Sequence, residues 1–134
     1  MILRKLHLKN FRAHQDSSID FGSKINVITG SNGAGKTNLL ESIHYLCLTK
    51  SFLTHNDRYA VRNGCDFFDV SGEIESSLLD DSSQASPQLD RSAVRITCVP
   101  KEGKKIFVNG APLDRMTDIV GRFPIVIHSP ADYV

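Results

Sequence analysis

The chain has 134 residues, 40% hydrophobic and 23% charged, with a formal net charge of +1. This is the composition of one globular domain, and it excludes a disordered, collagen-like or large multidomain chain. No apolar run approaches the ~20 residues that a bilayer-spanning helix needs, so neither a membrane span nor a membrane partner is expected.

In chain order, Ile2 to Leu8 alternates apolar and charged residues and predicts a strand, with Ser18 to Phe21 as its hairpin partner. Ile25 to Thr29 (I-N-V-I-T) is short and nearly continuous in hydrophobicity, which predicts a strand buried on both faces. After a glycine-rich stretch, Leu39, Leu40, Ile43, Leu46 and Cys47 recur at helical spacing and predict an amphipathic helix over 36–48. Residues 49–64 are polar and irregular and end in the turn pair Asn63-Gly64. Two further strands are expected at 67–74 and 93–99, joined over about 75–92 by a Ser-, Asp- and Gln-rich segment expected to be a mobile loop. Lys104 to Val108 and Ala111 to Leu113 flank Asn109-Gly110, the strongest short hairpin signal. A short helix capped by Asp114 and stopped by Gly121 is expected next, then a last strand at 123–127 before Ser129-Pro130.

The residues that carry chemistry lie between the predicted buried strand and the predicted helix. Gly30-Ser31-Asn32-Gly33-Ala34-Gly35-Lys36-Thr37 matches G-x-x-x-x-G-K-[ST] in full. A triphosphate needs closely approaching backbone N–H groups, and glycines at 30, 33 and 35 permit the required dihedrals. Lys36 can place its ammonium on the β- and γ-phosphates. Thr37 offers a hydroxyl to Mg²⁺ and opens a helix whose positive end faces the anion. A nucleoside triphosphate with Mg²⁺ is therefore the expected ligand. Hydrolysis would further need an acidic pair after a hydrophobic strand. Asp80-Asp81 follows only Leu78-Leu79 and precedes a Ser-rich stretch, which is the wrong setting.

The flanks of this loop carry a more specific signal. Leu6-His7-Leu8-Lys9-Asn10-Phe11-Arg12, followed by the run from Ile25 to Ile43, resembles the amino end of the RecF family of bacterial recombinational repair, in the SMC-like branch of the ABC ATPases. Thr49-Lys50-Ser51-Phe52, Val70-Ser71-Gly72-Glu73, Ile106-Phe107-Val108-Asn109-Gly110 and Val126-Ile127-His128-Ser129-Pro130 continue the resemblance in order and approximate spacing. Leu53 and Ala131 depart from it, standing where the family usually has an arginine and an acid. The resemblance implies an α/β phosphate-loop NTPase of the ABC-head type. Residues 1–134 would form only its first, ATP-binding lobe, with antiparallel strands beside the phosphate-loop sheet and one main helix. The Walker B strand and signature segment would lie beyond Val134, and ATPase activity is expected only when they complete the site. It also implies DNA replication and repair during DNA damage and the SOS response, with ATP-controlled DNA binding that lacks sequence preference. An ATP-dependent homodimer and the partners RecR and RecO are implied in the same way. Two other readings stay open: a non-hydrolysing nucleotide-dependent interaction module, and another P-loop enzyme such as a different SMC-like ATPase, a kinase or a GTPase. For the last of these, no N-K-x-D is present.

Outside the loop the signals are weaker. Arg12 stands equally as a nucleotide contact and as a surface salt-bridge arginine. Lys50, Arg58 and Arg62 are candidates for DNA phosphates or for a solvated loop. The five histidines stand at no metal-ligand spacing. Cys47, Cys65 and Cys98 include no C-x-x-C pair, so neither a disulfide framework nor a thiolate zinc site is supported. The N-terminus lacks a signal-peptide pattern, and the chain reads as cytoplasmic. Charge is segregated: residues 66–90 hold seven acids and no Lys or Arg, leaving the remainder at +8. Such asymmetry suits either an anionic partner or, more simply, exposed strand faces.

Overall fold

The computed structural model describes residues 1–30, 35–78, 88–119 and 121–126. Its frame is one antiparallel sheet of six strands: β1 (Ile2–Phe11), β2 (His14–Asp20), β3 (Phe68–Leu78), β4 (Gln88–Val99), β5 (Gly103–Val108) and β6 (Ala111–Pro112). Their spatial order is β2-β1-β3-β4-β5-β6. A single long helix, α1 (Lys36–Leu48), covers one face. Among the described residues no helix is long and apolar enough to cross a membrane.

The alternation read in the sequence decides which face the helix covers. Leu6 and Leu8 of β1, Phe68, Val70 and Ile74 of β3, Val94, Ile96 and Cys98 of β4, and Ile106 of β5 are all buried and share the helix side. The intervening Lys5, Lys9, Glu73, Arg95 and Lys105 stand on the open side, the usual division in an antiparallel sheet with one wet face. Helix α1 returns Leu39, Tyr45, Leu46 and Cys47 to this core. Phe11, Tyr45 and Phe68 meet edge to face, with ring centroids 5.2–5.8 Å apart. The C-terminal end of α1 is tied down by Lys104, whose Nζ donates to the Thr49 carbonyl at 2.6 Å and pairs with Asp57 at 3.1 Å. Asp57 in turn accepts the Tyr45 hydroxyl at 2.8 Å.

Four expectations need correction. Ile25–Thr29 lies outside every ladder, with Ile25 and Val27 89% and 80% exposed. Among the described residues no strand pairs with this stretch, and of its apolar residues only Ile28 packs against the core. The segment expected to loop over 75–92 is shorter: β3 and β4 remain paired from Glu75↔Arg91 out to Leu78↔Gln88. A ladder already in register continues through polar residues because its bonds are backbone bonds, and Asp80-Asp81 falls outside the described residues. The expected last strand at 123–127 is irregular as far as Val126. Pro124 removes a ladder donor there, while Phe123 and Ile125 still pack on the core. The short helix after Asp114 is a single 3-10 turn, Met116–Asp118.

Candidate nucleotide-binding site

The site is built around the start of α1. Gly35 adopts φ +90° and hands the chain directly into the helix. No side chain caps this end and no acid occupies its first turn, so its N–H groups and dipole are left to an anion. Lys36 donates from Nζ to the Gly30 carbonyl at 2.5 Å, spanning the loop from its end to its beginning. Thr37 is exposed at the helix start. Ser31, Asn32, Gly33 and Ala34 lie outside the described residues. Gly30, Gly35, Lys36 and Thr37 thus stand together at the start of α1, where a cation, a hydroxyl and uncapped amides share one end of the helix.

Three contacts bind the β1–β2 turn to this helix end. His14 Nε2 meets the Gly35 carbonyl at 3.0 Å while its Nδ1 meets Ser17 Oγ at 2.9 Å. The Ala13 amide reaches Asn38 Oδ1 at 3.5 Å. Arg12, at φ +45°, clamps Glu41 with Nε on Oε1 and Nη2 on Oε2, the second bond measuring 2.9 Å. Glu41 is fully buried and also accepts the Ser51 hydroxyl at 2.5 Å. Arg12 is therefore an ion-paired arginine, the second of the two readings the sequence left open, and its partner lies on the helix that the phosphate loop enters.

Of the basic residues in 49–64, Arg62 is committed internally: its Nη1 donates to the Ala13 carbonyl at 2.8 Å and its amide to Asn10. Lys50 and Arg58 stay exposed. Arg12, Ala13, Asn38, Tyr59, Val61, Arg62 and Asn63 line a cleft of about 460 Å³ with no carboxylate on its walls. A larger concavity of about 750 Å³ on the open sheet face, lined by Lys5, His7, Glu73 and Arg95 among others, lies away from the loop. No group of His, Cys, Asp or Glu among the described residues is arranged to hold a metal ion.

Glu41, His14 and Ser51 escaped the sequence reading. For Glu41 the signal was present: it stands four residues before Tyr45 and so on the buried stripe, while Leu40, read as apolar face, is 48% exposed. His14 and Ser51 reach the site through tertiary contacts alone.

Comparison with known proteins places this geometry. The AAA domain family matches residues 5–119. The chain is 50% identical over 133 residues to the DNA replication and repair protein RecF of Salinibacter ruber, covering 99% of this chain and 30% of that protein. It is 46% identical to RecF of Chloroherpeton thalassium, covering 98% and 33%. It thus spans about a third of the length of the curated relatives it matches. Among solved structures, the recombination mediator protein RecF with ATP, of the RecFOR pathway, superposes with a TM-score of 0.83 at 28% identity, over 98% of this chain and 33% of that one. An SMC ATPase superposes at 0.72 with 19% identity, over 98% of this chain and 94% of that one, a likeness of fold. The chain belongs to the AAA domain family of phosphate-loop NTPases and is similar, over nearly its whole length, to about a third of the length of the RecF proteins.

Proposed function

We propose that the chain binds ATP with Mg²⁺ through residues 30–37, as the nucleotide-binding lobe of a RecF-like DNA replication and repair protein. The observation that carries this reading is the closure of Lys36 onto Gly30 at an uncapped helix start. The ammonium lies where the loop's two ends approach, and a triphosphate would exchange one neutral carbonyl for several anionic oxygens. Thr37 would hold Mg²⁺, and Arg12 would contribute a second cation. The whole of residues 1–134 forms this lobe. In the complete protein, ATP would assemble a homodimer that binds DNA through phosphate contacts without sequence preference, in company with RecR and RecO, and would act in the cytoplasm. The RecF–ATP relative supports the ligand, and the RecFOR pathway in which that relative is described supports the partners.

Isothermal titration of the chain with Mg-ATP tests the ligand. Lys36→Ala is expected to remove most of the affinity while leaving the unfolding free energy from urea titration within about 0.5 kcal/mol of the parent, as for a surface substitution. Equal affinity in the two proteins would end the phosphate-loop reading. A non-hydrolysing interaction module is the second reading. It is favoured by the burial of Glu41, the carboxylate nearest along the chain after Lys36, whose oxygens are taken by Arg12 and Ser51.

A further inference from the structure

Glu41 presents a physical problem that the fold alone does not answer. A carboxylate removed wholly from water loses several kcal/mol of solvation, and well-packed apolar residues in place of such a pair are often as stable. Stability is therefore a poor reason for a fully buried glutamate on α1. Its neighbours suggest a different one. The planar fork of Arg12 lies across both carboxylate oxygens, and Ser51 Oγ closes the second oxygen at 2.5 Å. Ser51 Oγ itself accepts the Leu53 amide at 2.8 Å, so the hydroxyl is fixed in turn.

Arg12 is held from its backbone as well. Its amide donates to the Ala60 carbonyl at 2.9 Å, and it occupies a left-handed conformation that costs a non-glycine residue about 1 kcal/mol or more. The side chain that results has a defined plane and unspent donors, for Nη1 has no acceptor among the described residues. It is a quarter exposed, on the wall of the carboxylate-free cleft that also includes Asn38 from the first turn of α1.

We propose that Glu41, assisted by Ser51, is a positioning residue for ligand binding: it fixes the Arg12 guanidinium at the cleft beside the phosphate loop, ready for the anionic groups of a bound nucleotide. This rests on the nucleotide reading above. Glu41 does not touch the ligand; it acts through Arg12, and removing its charge leaves the arginine free to swing into solvent.

The test is calorimetry of the chain with Mg-ATP, with urea midpoints measured in parallel. Glu41→Gln keeps the volume and loses the charged clamp, and its affinity should fall about tenfold, as for loss of one charge-assisted contact. Arg12→Gln should fall by at least as much. The double variant Arg12→Gln/Glu41→Gln, which leaves no buried charge without a partner and so keeps the chain foldable, should bind like Arg12→Gln alone. Ser51→Ala should show a smaller loss in the same direction. If Glu41→Gln lowers the urea midpoint but the folded protein binds Mg-ATP as the parent does, or if the Arg12 and Glu41 losses simply add, the pair is structural and the proposal fails. Affinity indifferent to Lys36→Ala is a separate failure: it overturns the phosphate-loop reading, and this proposal falls with it.

Discussion

Gly35 shows how closely single atoms define the loop. Its φ of +90° is one that L side chains rarely adopt, and a Cβ there would lie 2.6 Å from His14 Nε2. Gly64 shares the conformation, at φ +85°, with nothing within 4 Å of its would-be Cβ. The two positions separate backbone strain from collision. Gly64→Ala should cost about 1 kcal/mol from the left-handed backbone alone. Gly35→Ala should cost more, because His14 is held at both ring nitrogens and must give up its bond to the Gly35 carbonyl to move aside. Urea titration of both variants checks the difference. Mg-ATP titration should find Gly64→Ala unchanged and Gly35→Ala weakened, since only Gly35 adjoins Lys36. Equal midpoints for the two variants would show that the His14 contact does not constrain the loop.

At the scale of elements, α1 is the one whose bounds the sequence predicts to the residue. A glycine-rich stretch and a Thr49 turn at φ +65° bracket a run of apolar positions at helical spacing. The sheet's hairpins were legible too, because period-two alternation and Asn109-Gly110 are local signals. What was not legible is set by partners distant in sequence. Ile25–Thr29 has the composition of a buried strand but no ladder, and 75–78 has the composition of a loop but a ladder from β4. The seat of the helix is another such feature. Gly72 on β3 has no side chain because α1 approaches there: an added Cβ would meet Leu46 Cδ1 at 2.9 Å and the Lys5 carbonyl at 3.0 Å. Leu46 could swing away, but the Lys5 backbone, at a register shift in β1, has less freedom. Gly72→Ala should therefore destabilise by about 1–3 kcal/mol as overpacking, and Leu46→Ala by about 2–5 kcal/mol as a cavity. The double variant should cost less than the sum, since the new methyl occupies space that Leu46 vacates. Strict additivity in thermal or urea unfolding would show that the helix does not seat on Gly72.

Across the whole molecule, the charge segregation of the sequence is partly offset by topology. The acidic stretch includes β3, which the sheet places between β1 and β4, and both neighbours supply arginines. Arg4 Nε meets Glu75 at 2.7 Å, and Arg95 forks onto Asp69 at 3.0 and 2.8 Å, with the Thr97 hydroxyl adding a bond at 2.6 Å. The basic excess is thus partly spent inside the sheet, and the folded chain offers an anionic partner fewer free cations than its sequence suggests. The same pairing makes stability sensitive to acid. The Arg4 hydrogen bond holds the Glu75 carboxyl below its ordinary 4.5. For Asp69, burial pushes upward, but the bonds from Arg95 and Thr97 outweigh it and hold the carboxyl below 3.8. Both groups therefore bind protons more weakly folded than unfolded. Their stabilisation is fully present above the ordinary values and is lost as pH falls through the lowered ones. The urea midpoint should depend little on these two groups between pH 7 and about pH 5, and it should decline below about pH 4.5 as they protonate. Arg95 is more than half exposed, so its pair is worth about 1 kcal/mol or less at neutral pH. Asp69→Asn should accordingly lower the neutral midpoint slightly and flatten the acid limb, and Arg4→Gln should flatten it by releasing Glu75. An acid limb unchanged in both variants would mean that carboxylates other than these two govern the acid response.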